Sequence, residues 1–325
     1  MANRQLPSAN SHPPIFIAGP TATGKSAIAL ALAEQLGGEI ISVDSMQVYR
    51  GLDVGTAKPG AAERGKIPHH LIDICDLTEA FDAAQFIRRA QTAVDEIQSR
   101  KKIPIFCGGT GLYFNAWLSG LGEAPSANPE LRAELETLPF EKLLQELRER
   151  DQDAYEKIDK QNPRRVIRAV EVIRLTGKKF SEQKARWGET PGEPDSAKEK
   201  QGSRGRSPHQ KIFALTRQQS DLHARINARV EEMFRRGLVD ETRELLKRGL
   251  EQNKTAMQAI GYRQVVEHLR GERDLAETIE LVKTKTRQFA KRQLTWFRRQ
   301  LQPEWIELPP GELPEESARK ICAAV

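Results

Sequence analysis

The sequence is short of the features that staple, anchor or address a chain. Its 325 residues include three cysteines, Cys75, Cys107 and Cys322. They have no metal-ligand spacing, and one must stay unpaired. This points to a reducing compartment and away from a disulfide scaffold or zinc site. The longest apolar run, Ala27 to Ala33, is far below the ~20 residues of a membrane helix. The N-terminal stretch MANRQLPSANSHPP has neither the apolar core of a secretory signal nor the long Arg-rich face of a transit peptide. A cytoplasmic protein is therefore expected. Residues 191–208, PGEPDSAKEKQGSRGRSP, lack Val, Ile, Leu and every aromatic. Such a stretch cannot offset its ordering entropy, so residues 191–209 are expected to form a mobile loop. Acidic residues are missing elsewhere. Leu281 to Pro303 holds seven Lys or Arg and no Asp or Glu; Asn162 to Lys179 holds six basic residues and one acid, Glu171. Basic stretches suit a polyanionic partner, although solvated helix faces give the same pattern.

What is present is the balance of a soluble globular chain: 38% hydrophobic, 30% charged, net charge +6. The length suits about two domains and a sizeable core. The first third alternates apolar β-like runs with helical segments. Ile15 to Ala18 enters a glycine-rich loop, and Ser26 to Leu36 carries helix formers ended by Gly37-Gly38. Ile40 to Val43, Leu71 to Ile74 and Pro104 to Cys107 are strand candidates, and Phe81 to Ile97 has helical spacing. This alternation predicts βαβ units and a parallel sheet. Pro129 to Leu175 is charged and helical, Ile212 to Leu215 is a returning strand, and long helices are expected over Ser220 to Arg236 and Leu275 to Gln300. The expected plan is a flexible N-terminus (1–14), an α/β core (15–125 and 210–310) with C-terminal helices, and a helical insertion (126–190). The fold class is α/β: a P-loop-type parallel sheet flanked by helices, with a mostly helical inserted domain.

Gly19, Pro20, Thr21, Ala22, Thr23, Gly24, Lys25 and Ser26 match G-x-x-x-x-G-K-[ST] in full, between a strand and a helix. Glycines let backbone N–H groups line a concavity, and the helix N-terminus adds positive potential. Lys25 can neutralise outer phosphate charge, and Ser26 can hold Mg2+ between two phosphates. The motif identifies a di- or triphosphate ligand without saying which bond breaks. The next strand ends in Asp44, whose carboxylate can hold water on magnesium, act as a general base, or merely cap the strand.

Longer motifs follow. Asp44-Ser-Met-Gln-Val-Tyr-Arg-Gly51 precedes Gly55-Thr-Ala-Lys-Pro59, and Gly108-Gly-Thr-Gly-Leu-Tyr113 lies downstream. With Arg164-Arg-Val-Ile-Arg-Ala169, Leu222-His-Ala-Arg-Ile-Asn-Ala-Arg229, Gln258-Ala-Ile-Gly-Tyr-Arg263 and Lys291-Arg-Gln-Leu-Thr-Trp-Phe-Arg298, the chain resembles the tRNA dimethylallyltransferases (tRNA isopentenyltransferases) over about residues 15 to 300. The resemblance implies transfer of a dimethylallyl group from its diphosphate to N6 of adenine 37, beside the tRNA anticodon. The partners would then be a tRNA anticodon stem-loop and dimethylallyl diphosphate, with Mg2+ as cofactor; RNA enzymes of this size are often monomers, so a monomer is expected.

The residues suit that chemistry. An exocyclic adenine amine is a poor nucleophile, and a carboxylate within ~3 Å of its N–H can take the proton. Asp44 is the candidate base. Preorganised donors should surround a departing diphosphate; the loop, Lys25 and magnesium at Ser26 supply them, and Thr21 or Thr23 can hydrogen-bond the bridging oxygen. Arg225 and Arg229, four apart on one helical face, can grip the diphosphate from the opposite side, or else pair with acids such as Glu232. Arg217 is a further candidate for that grip.

For the RNA, the resemblance implies contacts from Asp44, Ser45, Met46 and Gln47, from Thr110, and from Arg164, Arg165, Val166, Ile167 and Arg168. Arg164 stands where the family more often carries Gln. Arg132, Gln258, Gly261, Tyr262, Arg263, Lys291, Arg292, Gln293, Trp296 and Arg298 complete the implied set. The target base must leave its stack to reach Asp44. Gln47, Tyr262 and Trp296 can stack or read edges, while core packing accounts equally for Trp296 and Phe297. Two other classes fit parts of the pattern: a P-loop kinase acting on a small metabolite, and an RNA-binding protein with a vestigial nucleotide site.

Overall fold

The computed structural model describes residues 12–121, 125–183 and 211–325. The expected mobile loop at 191–209 and most of the expected flexible N-terminus lie outside the described residues. The chain divides into two units, one holding residues up to Phe114 and from Ser207 onward, the other Asn115 to Arg206.

In chain order the first unit begins with β1 (Ile15–Ala18), α1 (Lys25–Leu36), β2 (Glu39–Val43), α2 (Ala61–Lys66), β3 (His69–His70), α3 (Ala83–Ser99), β4 (Pro104–Gly108) and the start of α4 (Gly111–Ser119). The second unit carries α5 (Pro129–Thr137), α6 (Phe140–Arg150), α7 (Gln152–Lys157), α8 (Pro163–Thr176) and α9 (Phe180–Gln183). The first unit resumes with β5 (Ile212–Thr216), α10 (Gln219–Arg235), α11 (Leu238–Lys247), α12 (Tyr262–Leu269), α13 (Leu275–Gln300), β6 (Glu304–Glu307) and α14 (Pro314–Ala324).

The six strands form one sheet in the order β3-β2-β4-β1-β5-β6, and every pairing is parallel. The four inner strands β1, β2, β4 and β5 are mostly apolar because both faces are covered. Ile15, Ile17 and Leu215 pack with Ile28 and Leu32 of α1 and Ile321 of α14, and Phe16 stacks on Phe106 at 4.9 Å. Helix α1 thus sits between the sheet and α14 and ends at Gly37, whose left-handed φ of 64° suits glycine.

The third strand departs from expectation. It is His69–His70, and Leu71 and Asp73 have positive φ values of 63° and 56°, because Asp73 turns back to bind Lys58 and Arg64. The edge strand β6 is short and polar and carries no period-2 apolar signal.

At the start of β2, Glu39 is almost fully buried. Burial alone raises its pKa, but hydrogen bonds from Arg100, His70 and Lys102 outweigh this and bring it from 4.5 to about 2. A carboxyl lowered in the folded state stabilises fully above its unfolded value and loses that contribution as pH falls through its folded one. Wild type should therefore exceed Glu39→Gln in Tm near neutral pH. The gap should close between pH 4.5 and 2 in a thermal melt series; a constant gap would show that the ion cluster contributes nothing.

Candidate active site

Because the strands run the same way, the loops leaving the carboxyl ends of β1, β2, β4 and β5 emerge together, the usual place for a ligand in such sheets. Register makes this concrete: Ala18 pairs with Gly108 and Ala214, and Val43 pairs with Gly108. The next residues are Gly19, Asp44, Gly109 and Leu215. A Cβ on Gly108 would lie 2.1 Å from the Val43 carbonyl oxygen, so only glycine lets β2 and β4 approach here.

The β1 loop closes on itself. Thr23 is fully buried, and its Oγ1 donates to the Pro20 carbonyl at 2.9 Å. Lys25 Nζ donates to the same oxygen at 2.6 Å. Burial lowers the Lys25 pKa to about 8; the Arg229 charge adds to this, and Cys107 and Asp44 oppose it. Thr21 lies on the wall of the Asp44 cavity, and its N–H donates to Gln293 Oε1 at 2.9 Å. Of the two candidate threonines, Thr21 lines the cavity; Thr23 is buried inside the loop and is corrected to a residue that shapes it.

The arginines divide similarly. Arg217 is 9% exposed. Its Nε donates to the Thr23 carbonyl at 2.8 Å, and its Nη1 to Asp221 at 3.0 Å and the Pro309 carbonyl at 3.2 Å, so it braces the loop from behind. Arg225 Nε donates to the Ala22 carbonyl at 2.9 Å, and Arg229 Nη2 to the Thr56 carbonyl at 3.3 Å. Neither pairs with Glu232, which takes Arg235 instead. With Gly24, Lys25 and Ser26, Arg225 and Arg229 line a cavity of roughly 410 Å³. Burial pushes the Arg229 pKa down, and Asp44 opposes that.

A second cavity, roughly 400 Å³, is lined by Thr21, Asp44, Ser45, Met46, Thr110, Arg229, Gln258, Arg292 and Gln293. Arg229 belongs to both. Asp44 Oδ1 accepts from the N–H groups of Met46 at 2.8 Å and Gln47 at 3.3 Å, a local turn that fixes the carboxylate. The Ser45 N–H donates to Thr110 Oγ1 at 3.1 Å, and the Thr110 N–H to the Val43 carbonyl at 3.1 Å. Gln47 accepts from Ser42 Oγ and donates to the Thr56 carbonyl, so its amide is engaged within the protein.

Helix α13 closes the site from its far side. Gln293, 7% exposed, also donates to the Gly109 carbonyl at 2.9 Å. Trp296 lies against Gly111, where a Cβ would meet the indole at 2.3 Å, and Phe297 is fully buried. Lys291, Arg292 and Arg298 are exposed. Gln258 and Arg263 are exposed too, and Arg263 pairs with Glu267. Gly261 is buried at the start of α12. Tyr262 is a correction. It is fully buried and donates to Glu241 at 2.6 Å, so its ring has no face to offer a base.

In the helical unit, Arg164 and Arg165 are exposed at the start of α8. Val166 is fully buried in the α6–α8 core and is corrected to a packing residue; Ile167 packs partly against the same core. Glu171 is fully buried and receives Arg132 at 2.5 Å, Arg168 at 2.7 Å and the Asn128 N–H at 2.9 Å. Burial raises the Glu171 pKa, but these donors outweigh it and hold the carboxyl low. Arg168 also donates to the Pro125 carbonyl at 2.6 Å. Arg132 and Arg168 are thus committed to a buried carboxylate, as a charge taken out of water requires. Sequence reasoning passed over Phe289, on the wall of the Asp44 cavity, and Glu241. No local pattern marks Glu241.

Fold and site together define an α/β protein with a P-loop-like fold in which a cation-lined cavity and a carboxylate cavity share one arginine. The model of the IPP transferase family matches residues 47–300, and the chain belongs to this family and is a transferase. It is 44% identical to "tRNA dimethylallyltransferase 1" of Trichlorobacter lovleyi over 94% of this chain and 96% of that one. The full-length tRNA isopentenylpyrophosphate transferase of Bacillus halodurans aligns with TM-score 0.67 and 36% identity, covering 96% of each chain. A eukaryotic dimethylallyltransferase, described as acting on tRNA, aligns with TM-score 0.76 at 27% identity over 97% of this chain and 78% of that one.

Proposed function

We propose that the protein transfers the dimethylallyl group of dimethylallyl diphosphate to N6 of adenosine 37, beside the tRNA anticodon, releasing diphosphate. The observation that carries this reading is Arg229, shared by a cation-lined cavity at the P-loop and a cavity holding Asp44. A diphosphate in the first places the attached C5 group toward the second. A base flipped out of the anticodon loop enters the second, because a stacked base cannot reach a recessed carboxylate.

The N6 lone pair attacks the allylic carbon, and the C–O bond to diphosphate breaks. Asp44 takes the N6 proton. Negative charge develops on the leaving oxygens, where the loop N–H groups, Lys25, Arg225 and Arg229 stand preorganised, the kind of donor set that lowers such barriers most. Thr21, on the cavity wall, is the threonine suited to the bridging oxygen.

Magnesium fits at Ser26, an exposed residue that lines the P-loop cavity beside Lys25 at the start of α1. Among the described residues no cluster of three or more acidic, His or Cys side chains forms an all-protein metal cage. When bound, the ion would supply charge neutralisation to the leaving group.

No helix among the described residues is long and apolar enough to cross a membrane. One chain provides both cavities, so a monomer suffices. The reading is tested by supplying unmodified tRNA with either labelled dimethylallyl diphosphate or ATP labelled at the γ-phosphate. Label from the prenyl donor in RNA is the expected result. Label from ATP in a small product would replace this function with that of a kinase, and binding of both ligands without transfer would make the site non-catalytic.

A further inference from the structure

The segment Asp53–Lys58 forms a wall shared by the two cavities: Gly55 and Thr56 line the Asp44 side, and Ala57 lines the P-loop side. The Thr56 carbonyl is its junction, accepting from Arg229 Nη2 and Gln47 Nε2, each at 3.3 Å. This wall is not relaxed backbone. Ala57 has φ 46°, in the left-handed region where a Cβ is strained. Such a conformation persists only where its surroundings over-determine it.

Those surroundings are specific. On one side Lys58 Nζ is buried against the Tyr49 carbonyl, Asp53 and Asp73. On the other, Glu241 of α11 accepts from the Val54 N–H at 2.8 Å, the Gly55 N–H at 3.3 Å and the Tyr262 hydroxyl at 2.6 Å. The Gly55 N–H also donates to the Tyr262 oxygen at 3.1 Å. The ring of Tyr262 lies so close that a Cβ on Gly55 would meet it at 2.5 Å. Burial, with the Glu241 charge, pushes the Tyr262 pKa up, so the phenol stays protonated and donating. A half-buried carboxylate filled by two backbone N–H groups and a phenol is a stiff anchor.

We propose that Glu241 and Tyr262 are positioning residues: they clamp Val54 and Gly55 from behind, and through the Thr56 carbonyl they hold Arg229 in register between the two cavities. Neither touches the reacting groups. The clamp rests on the assignment of Arg229 to the diphosphate, so its test reads anion binding directly as well as transfer.

The experiment is a double-mutant cycle of Tyr262→Phe and Arg229→Ala, with Glu241→Gln as a second entry to the same clamp. Affinity for inorganic pyrophosphate is measured by calorimetry, and KM for dimethylallyl diphosphate is measured with tRNA saturating. Residues acting in one network couple, whereas independent ones add. Tyr262→Phe is expected to weaken pyrophosphate and raise the donor KM by about fivefold, and to change either by less than about twofold once Arg229 is Ala. A merely structural defect would lower affinity equally in both backgrounds, and that result overturns the proposal. So does wild-type pyrophosphate affinity in both Tyr262→Phe and Glu241→Gln. If the wild type binds pyrophosphate but transfers nothing to tRNA, the functional reading fails while the cycle still decides the clamp.

Discussion

Asp44→Asn is expected to lower the rate of single-turnover prenyl transfer by about 10²-fold or more and to change tRNA affinity little, since positioned bases contribute ~10²–10⁴. The geometry makes this substitution clean. Oδ1 of Asp44 holds the turn through the N–H groups of Met46 and Gln47. An asparagine carbonyl oxygen can accept the same two bonds, so the turn survives. What is lost is the proton acceptor. The measurement is a rapid-quench time course with enzyme in excess, alongside equilibrium binding of an anticodon stem-loop. An unimpaired single-turnover rate would remove Asp44 from the role of base; a matching loss of RNA affinity would make it a binding residue.

Donor and RNA should also separate by mutation. Lys25→Ala should weaken dimethylallyl diphosphate by roughly 10- to 100-fold, the worth of a charged hydrogen bond, and spare free tRNA. Because burial brings the Lys25 pKa to about 8, the free protein loses that cation as pH rises through this value. Donor affinity in wild type should therefore fall from below pH 8 to above it, and Lys25→Ala should lack that component. For RNA, the exposed Arg165 and Lys291 are the residues to change; Arg168 is unsuitable because it neutralises Glu171. Each should flatten the slope of log affinity against log salt by roughly 0.7 to 0.9 if it neutralises a phosphate. Donor affinity should stay at the wild-type value. A salt titration of stem-loop binding decides this: an unchanged slope in Arg165→Ala and Lys291→Ala takes those residues off the RNA surface.

Legibility in the sequence followed the range of the interactions. The P-loop was readable because strand, glycines and helix start are contiguous and their chemistry is local. Asp44 was readable as a carboxylate at a strand end, and the parallel sheet followed from alternating segments. Residues whose meaning depends on a distant partner were not readable. Tyr262 looks like a stacking platform until Glu241 and Gly55 surround it. Thr21 and Thr23 are indistinguishable until the loop folds back on Pro20. Arg168 sits in a basic stretch and Arg132 in the helical segment before it, yet one buried acid claims both. The strand expected at Leu71–Ile74 failed for the same reason, since ion pairs to Asp73 bend the backbone there.

The strand order sets a timetable for synthesis on the ribosome. Strand β1 lies between β4 and β5 in the sheet, yet β5 follows the whole helical unit in the chain. A nascent chain that ends before residue 212 has no neighbour for one side of β1, so the apolar run Ile15 to Ala18 is an open edge, a template for pairing with other chains. The loop gains its brace when Arg217 arrives, and its tie to the Gly109 turn when Gln293 arrives. Almost the entire chain must be made before the phosphate loop is held on all sides. Interrupted translation upstream of β5 therefore yields a species prone to self-association, with a β1 loop that lacks both its brace and its tie.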